Sequence, residues 1–233
     1  MKQSLRIDAI IPARAGSKRV PAKNIRMLGN KPMIRYTIES AMDSKFIENI
    51  YVSSNDPEVK KICSVLDCHF IDRPENLSTD DATTESVIDH FLAIVKERNK
   101  RPDILVILQP TVPFREPGSI DCSIETLIDG KFDSVTSHIR VDFYHPNKIK
   151  KVEGDQLAPY YEPEVVGEQR KRLPNALCRD GSIYALSVSS YERQGSLLGC
   201  RQGYIITDAE RFINVDTMKD WLTAEALHKY YFS

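Results

Sequence analysis

The chain has 233 residues, 41% of them hydrophobic, and a formal net charge of -1. That length suits one domain with a substantial core, and the near-neutral charge gives no reason to expect bulk attraction to nucleic acid or to an anionic membrane. No run approaches the roughly 18 apolar residues of a membrane helix, the N-terminal M-K-Q-S-L-R-I-D lacks the apolar region of a signal peptide, and five cysteines without a C-x-x-C pair read as reduced thiols of a cytoplasmic protein.

In chain order, Leu5 to Ile11 is a continuous apolar run, the pattern of a strand buried on both faces. Pro32 opens a helical pattern with Ile34, Ile38, Ala41 and Met42 on one side. Asn49 to Ser54 reads as a second strand. Asp56 and Pro57 start a helix reaching about Leu66, with Asp56 as N-cap. Cys68 to Ile71 is a short strand, and Thr83 to Arg98 a helix whose stripe is Val87, Ile88, Phe91, Leu92 and Val95. Asp103 to Gln109 is a central strand, Pro117 to Asp129 a helix, and Ser134 to His138 a strand. Regular structure returns with Gly181 to Val188 and Tyr204 to Thr207. A last helix begins near Thr217, where Thr217 and Asp220 have the spacing of a capping box and Trp221, Ala224 and Tyr231 face the core.

Strands alternating with helices at this spacing predict an α/β fold, Rossmann-like, with a mostly parallel central sheet flanked by helices. The whole chain is read as a single domain, 1-233, with residues of about 140-176 as an excursion, either a flap or a dimerisation arm. This stretch is rich in Pro, Lys, Glu and Tyr and contains Tyr160, Tyr161 and Pro163. Ligands in such sheets bind beyond the carboxyl ends of the strands. One rim should therefore gather the segment after Ile11, the segments after Ser54 and Ile71, and the segment after Gln109.

Charge singles out the first of these. Residues 1 to 35 hold nine Lys or Arg against one acid, Asp8, and four of the nine (Arg14, Lys18, Arg19 and Lys23) lie within a ten-residue span, 14-23, after the first strand. The loop is neither G-x-x-x-x-G-K-[ST] nor G-x-G-x-x-G, so neither an ATPase-type P-loop nor a dinucleotide turn is indicated. Backbone N–H groups around Gly16 and Ser17, with full charges from Arg14, Lys18 and Lys23, suit a polyphosphate, which needs both kinds of donor.

Residues 12 to 24, P-A-R-A-G-S-K-R-V-P-A-K-N, resemble the signature loop of the acylneuraminate cytidylyltransferases, the CMP-sialic acid synthetase family that includes CMP-legionaminate and CMP-pseudaminate synthetases. Three further segments match in order. Arg73, Pro74, Leu77 and Asp80 through Thr84 are similar to R-P-x-x-L-x-x-D-x-A-[ST]-[ST]. Residues 108-115, L-Q-P-T-V-P-F-R, resemble L-Q-P-T-S-P-L-R, and residues 213-217, I-N-V-D-T, resemble I-D-I-D-T. The resemblance runs from about residue 5 to 230.

It implies Mg²⁺-dependent transfer of CMP from CTP to the anomeric hydroxyl of a 2-keto-3-deoxy sugar acid, with release of pyrophosphate, by a homodimer. By the resemblance, Arg14, Lys18 and Lys23 hold the phosphates with Gly16 and Ser17, and Asn24 lies beside the nucleotide. Arg73, Ala82 and Thr84 match cytosine contacts, Gln109 and Arg170 match sugar-acid contacts, and Tyr184 is structural first and substrate-lining second. Thr84 also has the place of a helix N-cap, and Asp80 and Asp81 have places that favour a helix N-terminus. The family's closing motif offers two aspartates; here they are Asn214 and Asp216, so Asp216 is the expected Mg²⁺ ligand and Asn214 a weak, uncharged one. Asp216 could instead cap the last helix. A second departure, Leu177 to Gly181 (L-C-R-D-G, against F-R-P-N-G), bears on the identity of the sugar. The alternatives are a cytidylyltransferase for another acid, such as an amino-Kdo analogue or a phosphonate, and a nucleotide-binding module without turnover.

Overall fold

The first apolar run becomes β1 (Ile7–Pro12), a central strand of a seven-stranded sheet. The computed structural model describes residues 5-141, 145-160 and 174-232. After β1 come a short hairpin of β2 (Met27–Leu28) and β3 (Lys31–Pro32), then α1 (Met33–Met42), β4 (Asn49–Ser54), α2 (Pro57–Val65), β5 (His69–Asp72) and α3 (Thr84–Glu97). There follow β6 (Ile104–Leu108), α4 (Ser119–Gly130), β7 (Ser134–Arg140), β8 (Lys150–Glu153), β9 (Gln156–Pro159), β10 (Leu177–Ser187), α5 (Val188–Gln194), β11 (Gln202–Ile206) and α6 (Met218–Phe232).

The sheet order is β11-β7-β10-β6-β1-β4-β5. Strand β10 runs antiparallel to both its neighbours, and the other adjacent pairs are parallel. The chain leaves β1 toward β4 and β5, then returns to the other side of β1 at β6. That reversal is the switch point at which α/β sheets open a crevice.

Side-chain alternation along β1 decides the layers. Ile7, Ala9 and Ile11 face the apolar residues of α1, α2 and α4 (Ile34, Ile38, Val59, Cys63, Ile124). Ile10 faces the other way, toward Val87, Ile88, Phe91, Leu92 and Val95 of α3 and Tyr191 of α5. All five stripe residues of α3 are buried, worth about 10 kcal/mol of gross transfer free energy at roughly 2 kcal/mol each. A third cluster joins Val20, Leu28, Met33, Tyr36 and Phe114 to Val215, Trp221 and Ala224. It fastens the loop after β1 to the last helix.

Most expected elements are present within a residue or two. Asp56 caps α2 by accepting from Glu58 N at 2.9 Å, with Pro57 at the first turn. Met42 is exposed, because the buried stripe of α1 ends at Ala41, and Tyr231 is only partly buried, its ring 4.7 Å from the Arg211 guanidinium. Strand β10 begins four residues before Gly181. Its register shifts between Arg179 and Tyr184, and Gly181 takes φ +77° within that irregularity. The seven-residue α5 is too short to leave a repeating stripe in the sequence; Ser187 caps it and Gly195, at φ +61°, ends it. Of the expected excursion, residues 145-160 form a turn and the β8–β9 hairpin, a two-stranded sheet of its own among the described residues. Residues 161-173, Arg170 among them, lie outside the described residues.

Candidate active site

The loop from Ala13 to Asn24 leaves β1 at the carboxyl rim and is fixed at several points. Ala13 N donates to Ser53 O at 2.9 Å and Ala15 N to Asn55 Oδ1 at 2.9 Å. Asn24 Nδ2 donates to Arg14 O at 3.0 Å, closing the loop on itself, and Val20 is buried under it. Gly16 has φ +76°, a left-handed conformation that disfavours side chains, and a Cβ there would meet nothing within 4 Å. Glycine is required by the backbone, and the space above it is open.

Two aspartates approach this loop from different segments. Arg14 Nη2 lies 2.6 Å from Asp80 Oδ1, and Lys18 Nζ lies 2.6 Å from Asp80 Oδ2. Lys18 first, then Arg14, holds the Asp80 carboxyl below the usual carboxylate range. Lys23 Nζ donates to Val215 O at 2.7 Å and to Asp216 Oδ1 at 3.1 Å, and Arg19 Nη2 stands 3.9 Å from Asp216 Oδ2. Asp80 is therefore engaged with the loop rather than with the end of a helix.

Helix α3 is capped by Thr83, whose Oγ1 accepts from Ser86 N at 3.1 Å. Thr84 is not the cap, which leaves its half-buried hydroxyl available at the rim. Arg73, one residue past β5, is buried. Its Nε and Nη2 donate to Ser53 Oγ (3.1 Å) and Ser53 O (2.7 Å), and among the described residues it has no carboxylate partner. Desolvation, and then the nearby charge of Arg14, pull its guanidinium down to about 10. A buried, uncompensated cation of this kind is set to receive an acceptor from a ligand.

Gln109 directly follows β6, half-buried on the same rim. Its main-chain oxygen accepts from Arg115 Nη2, and Arg115 also donates to Val112 O (2.8 Å), Thr37 Oγ1 (2.9 Å) and Ser182 O (3.0 Å). This buried guanidinium, pulled down to about 9 by desolvation, joins α1, the 109-115 turn and β10. Arg115 closes the 108-115 motif, and the signal for its role in the sequence is a cation directly after a proline-rich turn. Tyr184 pairs with Ile107 and packs against the α3-side cluster. The Asp180 carboxylate accepts from Ser137 Oγ, Ser182 N (2.8 Å) and Thr207 Oγ1 (2.7 Å), tying β7, β10 and the end of β11 together.

The 213-217 segment is fixed by Val215, which is buried and donates from its N to Thr111 O at 2.8 Å. Asn214 and Asp216 flank it, and both are accessible. Thr217 and Asp220 form the expected capping box: Asp220 Oδ2 accepts from Thr217 N at 2.7 Å, and Thr217 Oγ1 accepts from Asp220 N at 3.3 Å. Capping thus falls to Thr217, and the Asp216 carboxylate is left for Lys23 and Arg19. Among the described residues, no group of three or more His, Cys, Asp or Glu side chains could hold a metal by itself.

A family model described as "Cytidylyltransferase" matches residues 9-197. The chain belongs to the cytidylyltransferase family. It is similar to an N-acylneuraminate cytidylyltransferase A of Danio rerio (27% identity, covering 96% of this chain and 51% of the relative) and to an N-acylneuraminate cytidylyltransferase of Streptococcus agalactiae (30%, 91% and 51%). It is also similar to a CMP-N,N'-diacetyllegionaminic acid synthase of Legionella pneumophila (29%, 96% and 96%). The chain thus spans about half the length of the first two and nearly all of the third. Among solved structures, a CMP:2-keto-3-deoxy-manno-octonic acid synthetase complexed with CTP superposes with a TM-score of 0.69 (19% identity, covering 97% of this chain and 99% of that one). A 4-diphosphocytidyl-2C-methyl-D-erythritol synthase of Anaerococcus prevotii gives 0.67 (16%, 97% and 100%). These two likenesses show the shared fold.

In this member of the family the rim brings together Arg14, Gly16, Ser17, Lys18, Lys23, Asn24, Arg73 and Asp216, directly or through shared partners. Ala82 and Thr84 join them through the segment that carries Asp80. Gln109 and Tyr184 belong to the neighbouring β6–β10 part of the rim. No helix among the described residues is long and apolar enough to cross a membrane.

Proposed function

We propose that the chain transfers CMP from CTP to the anomeric hydroxyl of a nonulosonic sugar acid of the sialic, legionaminic or pseudaminic type. The new bond joins the anomeric oxygen to the α-phosphorus. The bond to the bridging α,β-oxygen breaks, the hydroxyl proton goes to solvent, and pyrophosphate leaves. The observation that carries this reading is the meeting of four loop cations on one rim with the buried Arg73, which has no carboxylate partner among the described residues.

Such chemistry asks for positioning and charge neutralisation more than for covalent apparatus. Arg14 and Lys18 on one side of the loop, and Lys23 on the other, would hold the polyphosphate. Asn24 would accept a hydrogen bond from the nucleotide through Oδ1, which is buried and has no partner among the described residues. Arg73, Thr84 and the backbone at Ala82 would read the cytosine edge. Gln109, with Arg170 from outside the described residues and Tyr184 behind it, would face the sugar acid.

The Asp216 carboxylate and the Asn214 carbonyl are oxygen donors only, which fits a hard cation completed by phosphate oxygens. Mg²⁺ held there would neutralise phosphate charge. A homodimer is the reading for the excursion, supported by the exposed Val152 (75%) and Leu157 (71%) on the β8–β9 hairpin. The five free thiols agree with a reducing, cytoplasmic setting.

Pyrophosphate release from CTP and Mg²⁺ over a panel of sugar acids tests the proposal. Release is expected with at least one nonulosonic acid, and with CTP in preference to UTP or ATP. CTP binding without release for any acid would leave a binding module, and release with Kdo-type or phosphonate acids alone would move the substrate class.

A further inference from the structure

The cations that the loop would offer to a polyphosphate are already occupied. Asp80 places one carboxylate oxygen on Arg14 and the other on Lys18, each at 2.6 Å. Two oxygens of one phosphate group would span the same pair of donors. We propose that Asp80 is an internal counter-anion that exchanges with the polyphosphate. It holds Arg14 and Lys18 in place in the unliganded chain, yields them to the triphosphate of the incoming nucleotide, and returns to them as pyrophosphate departs. The inference rests on the reading of this loop as the phosphate site.

Three observations carry it. The contact is exposed: the Asp80 side chain is 50% accessible and that of Lys18 is 81%. Pairs of that exposure form and break at little cost, so this one is suited to exchange rather than to holding the fold. The other pair on the same loop is built differently. Lys23 is only 11% exposed and is also fixed to Val215 O, which gives Asp216 a standing partner. Finally, a single negative charge faces a ligand that carries several, so the polyphosphate wins the competition when bound, yet the carboxylate can displace a departing fragment.

The position of Asp80 adds a consequence. It lies two residues before Ala82 and four before Thr84, on the segment between β5 and α3. While it bridges Arg14 and Lys18, it tethers that segment to the loop. Its release by a triphosphate frees the same segment to settle on the base, which couples phosphate binding to nucleobase recognition. Asp80 is thus a positioning residue for the reaction, acting through Arg14 and Lys18.

The test compares wild type, Asp80→Asn and Asp81→Asn by calorimetric titration with inorganic tripolyphosphate and pyrophosphate, and by product inhibition in the steady state. Asp81 carries the same charge next door and contacts neither cation. Removing the competitor raises the fraction of chains ready to bind, so Asp80→Asn is expected to bind both anions about fivefold more tightly. Inhibition by pyrophosphate should strengthen in proportion, and kcat should fall as release slows. Equal affinities in the Asp80 and Asp81 variants, whether both unchanged or both tighter, would overturn the inference, the second case reducing the effect to bulk charge. A fourth protein, Arg14→Ala, separates the two levels: if it binds tripolyphosphate as well as wild type does, the phosphate-site reading fails as well.

Discussion

Lys23 Nζ donates to Val215 O at 2.7 Å and to the Asp216 carboxylate at 3.1 Å, joining a loop after the first strand to the entrance of the last helix, 193 positions away. One ammonium therefore sets the distance between the loop's charges and the expected metal ligand. Asp216→Ala is expected to lower kcat/KM at least about 100-fold, the scale of one lost electrostatic contact in a transition state. The Asp216 side chain is 42% accessible, so the fold should lose no more than about 1 kcal/mol. Steady-state kinetics beside urea unfolding checks both halves, and a near-normal rate in a folded variant would remove Asp216 from the site.

Asn24 gives a second expectation. Its Nδ2 is spent on Arg14 O, and its Oδ1 is buried without a partner among the described residues. An unpaired buried acceptor costs about 1–3 kcal/mol, which a ligand donor would recover. The ribose hydroxyls are the donors a nucleotide brings beside its phosphates. CTP lacking the 2′- or the 3′-hydroxyl is expected to bind wild type about tenfold more weakly than CTP, while Asn24→Ala barely distinguishes the analogues. Equal discrimination in both proteins would place Asn24 elsewhere.

Much of this was legible in the sequence because the features are local. The alternation of buried strands with striped helices predicted the layers, and a charged loop directly after the first strand predicted the rim. What was not legible is pairwise and distant. The sequence spacing of Thr83 and Thr84 cannot say which hydroxyl caps α3; the structure assigns Thr83. Asp80 looked like a helix-end acid because its partners, Arg14 and Lys18, are 66 and 62 positions away. The antiparallel course of β10 hangs on its pairing with both β6 and β7, and the Arg115 network on the turn that this pairing encloses. Neither leaves a periodic trace.

Arg73 separates binding from stability. Its folded-state value near 10 lies below the ordinary 12.5 because burial disfavours the charge, with Arg14 adding repulsion. The sign is that of a cost: it is present in full at pH 7 and declines only as pH rises past 10, where the folded chain releases the proton before the unfolded one does. Each unit is worth about 1.4 kcal/mol, so the cost rivals the gain from two hydrogen bonds to Ser53. The Ser53 carbonyl also keeps Ala13 N as a donor. Arg73→Met is therefore expected to stay within about 1 kcal/mol of wild type, or above it, while CTP affinity falls tenfold or more. A stability loss beyond about 3 kcal/mol would make Arg73 a structural residue.

Arg115 predicts the opposite balance. Its guanidinium serves Val112 O and Ser182 O in buried surroundings and Gln109 O in a part-buried one. Arg115→Met would strand these acceptors at about 1–3 kcal/mol each, and urea unfolding should show a loss of several kcal/mol. Arg115→Lys, with one compact donor group in place of a fork, should recover part of the stability but not the full set of contacts. Wild-type stability in Arg115→Met would mean that water replaces the guanidinium.

Acid sensitivity should centre on Asp133. Its carboxylate accepts from Arg201 N (2.9 Å), Ser190 Oγ (2.7 Å), Gln194 Nε2 (3.2 Å) and Cys200 N (3.1 Å), closing α5 and the start of β11 onto the chain just before β7. The Arg201 amide above all, then Ser190 and Gln194, hold its carboxyl far below the usual range. A lowered carboxyl stabilises the folded chain at any pH above its unfolded value of about 3.9, and that contribution drains away as pH falls toward the folded value. Wild type should therefore lose stability below about pH 4. Asp133→Asn should be less stable than wild type at pH 7, with the gap narrowing steadily as the pH is taken from about 4 toward 2. Urea unfolding of both proteins across that range reads the difference directly, and a gap that stays constant would assign the acid limb to other carboxylates.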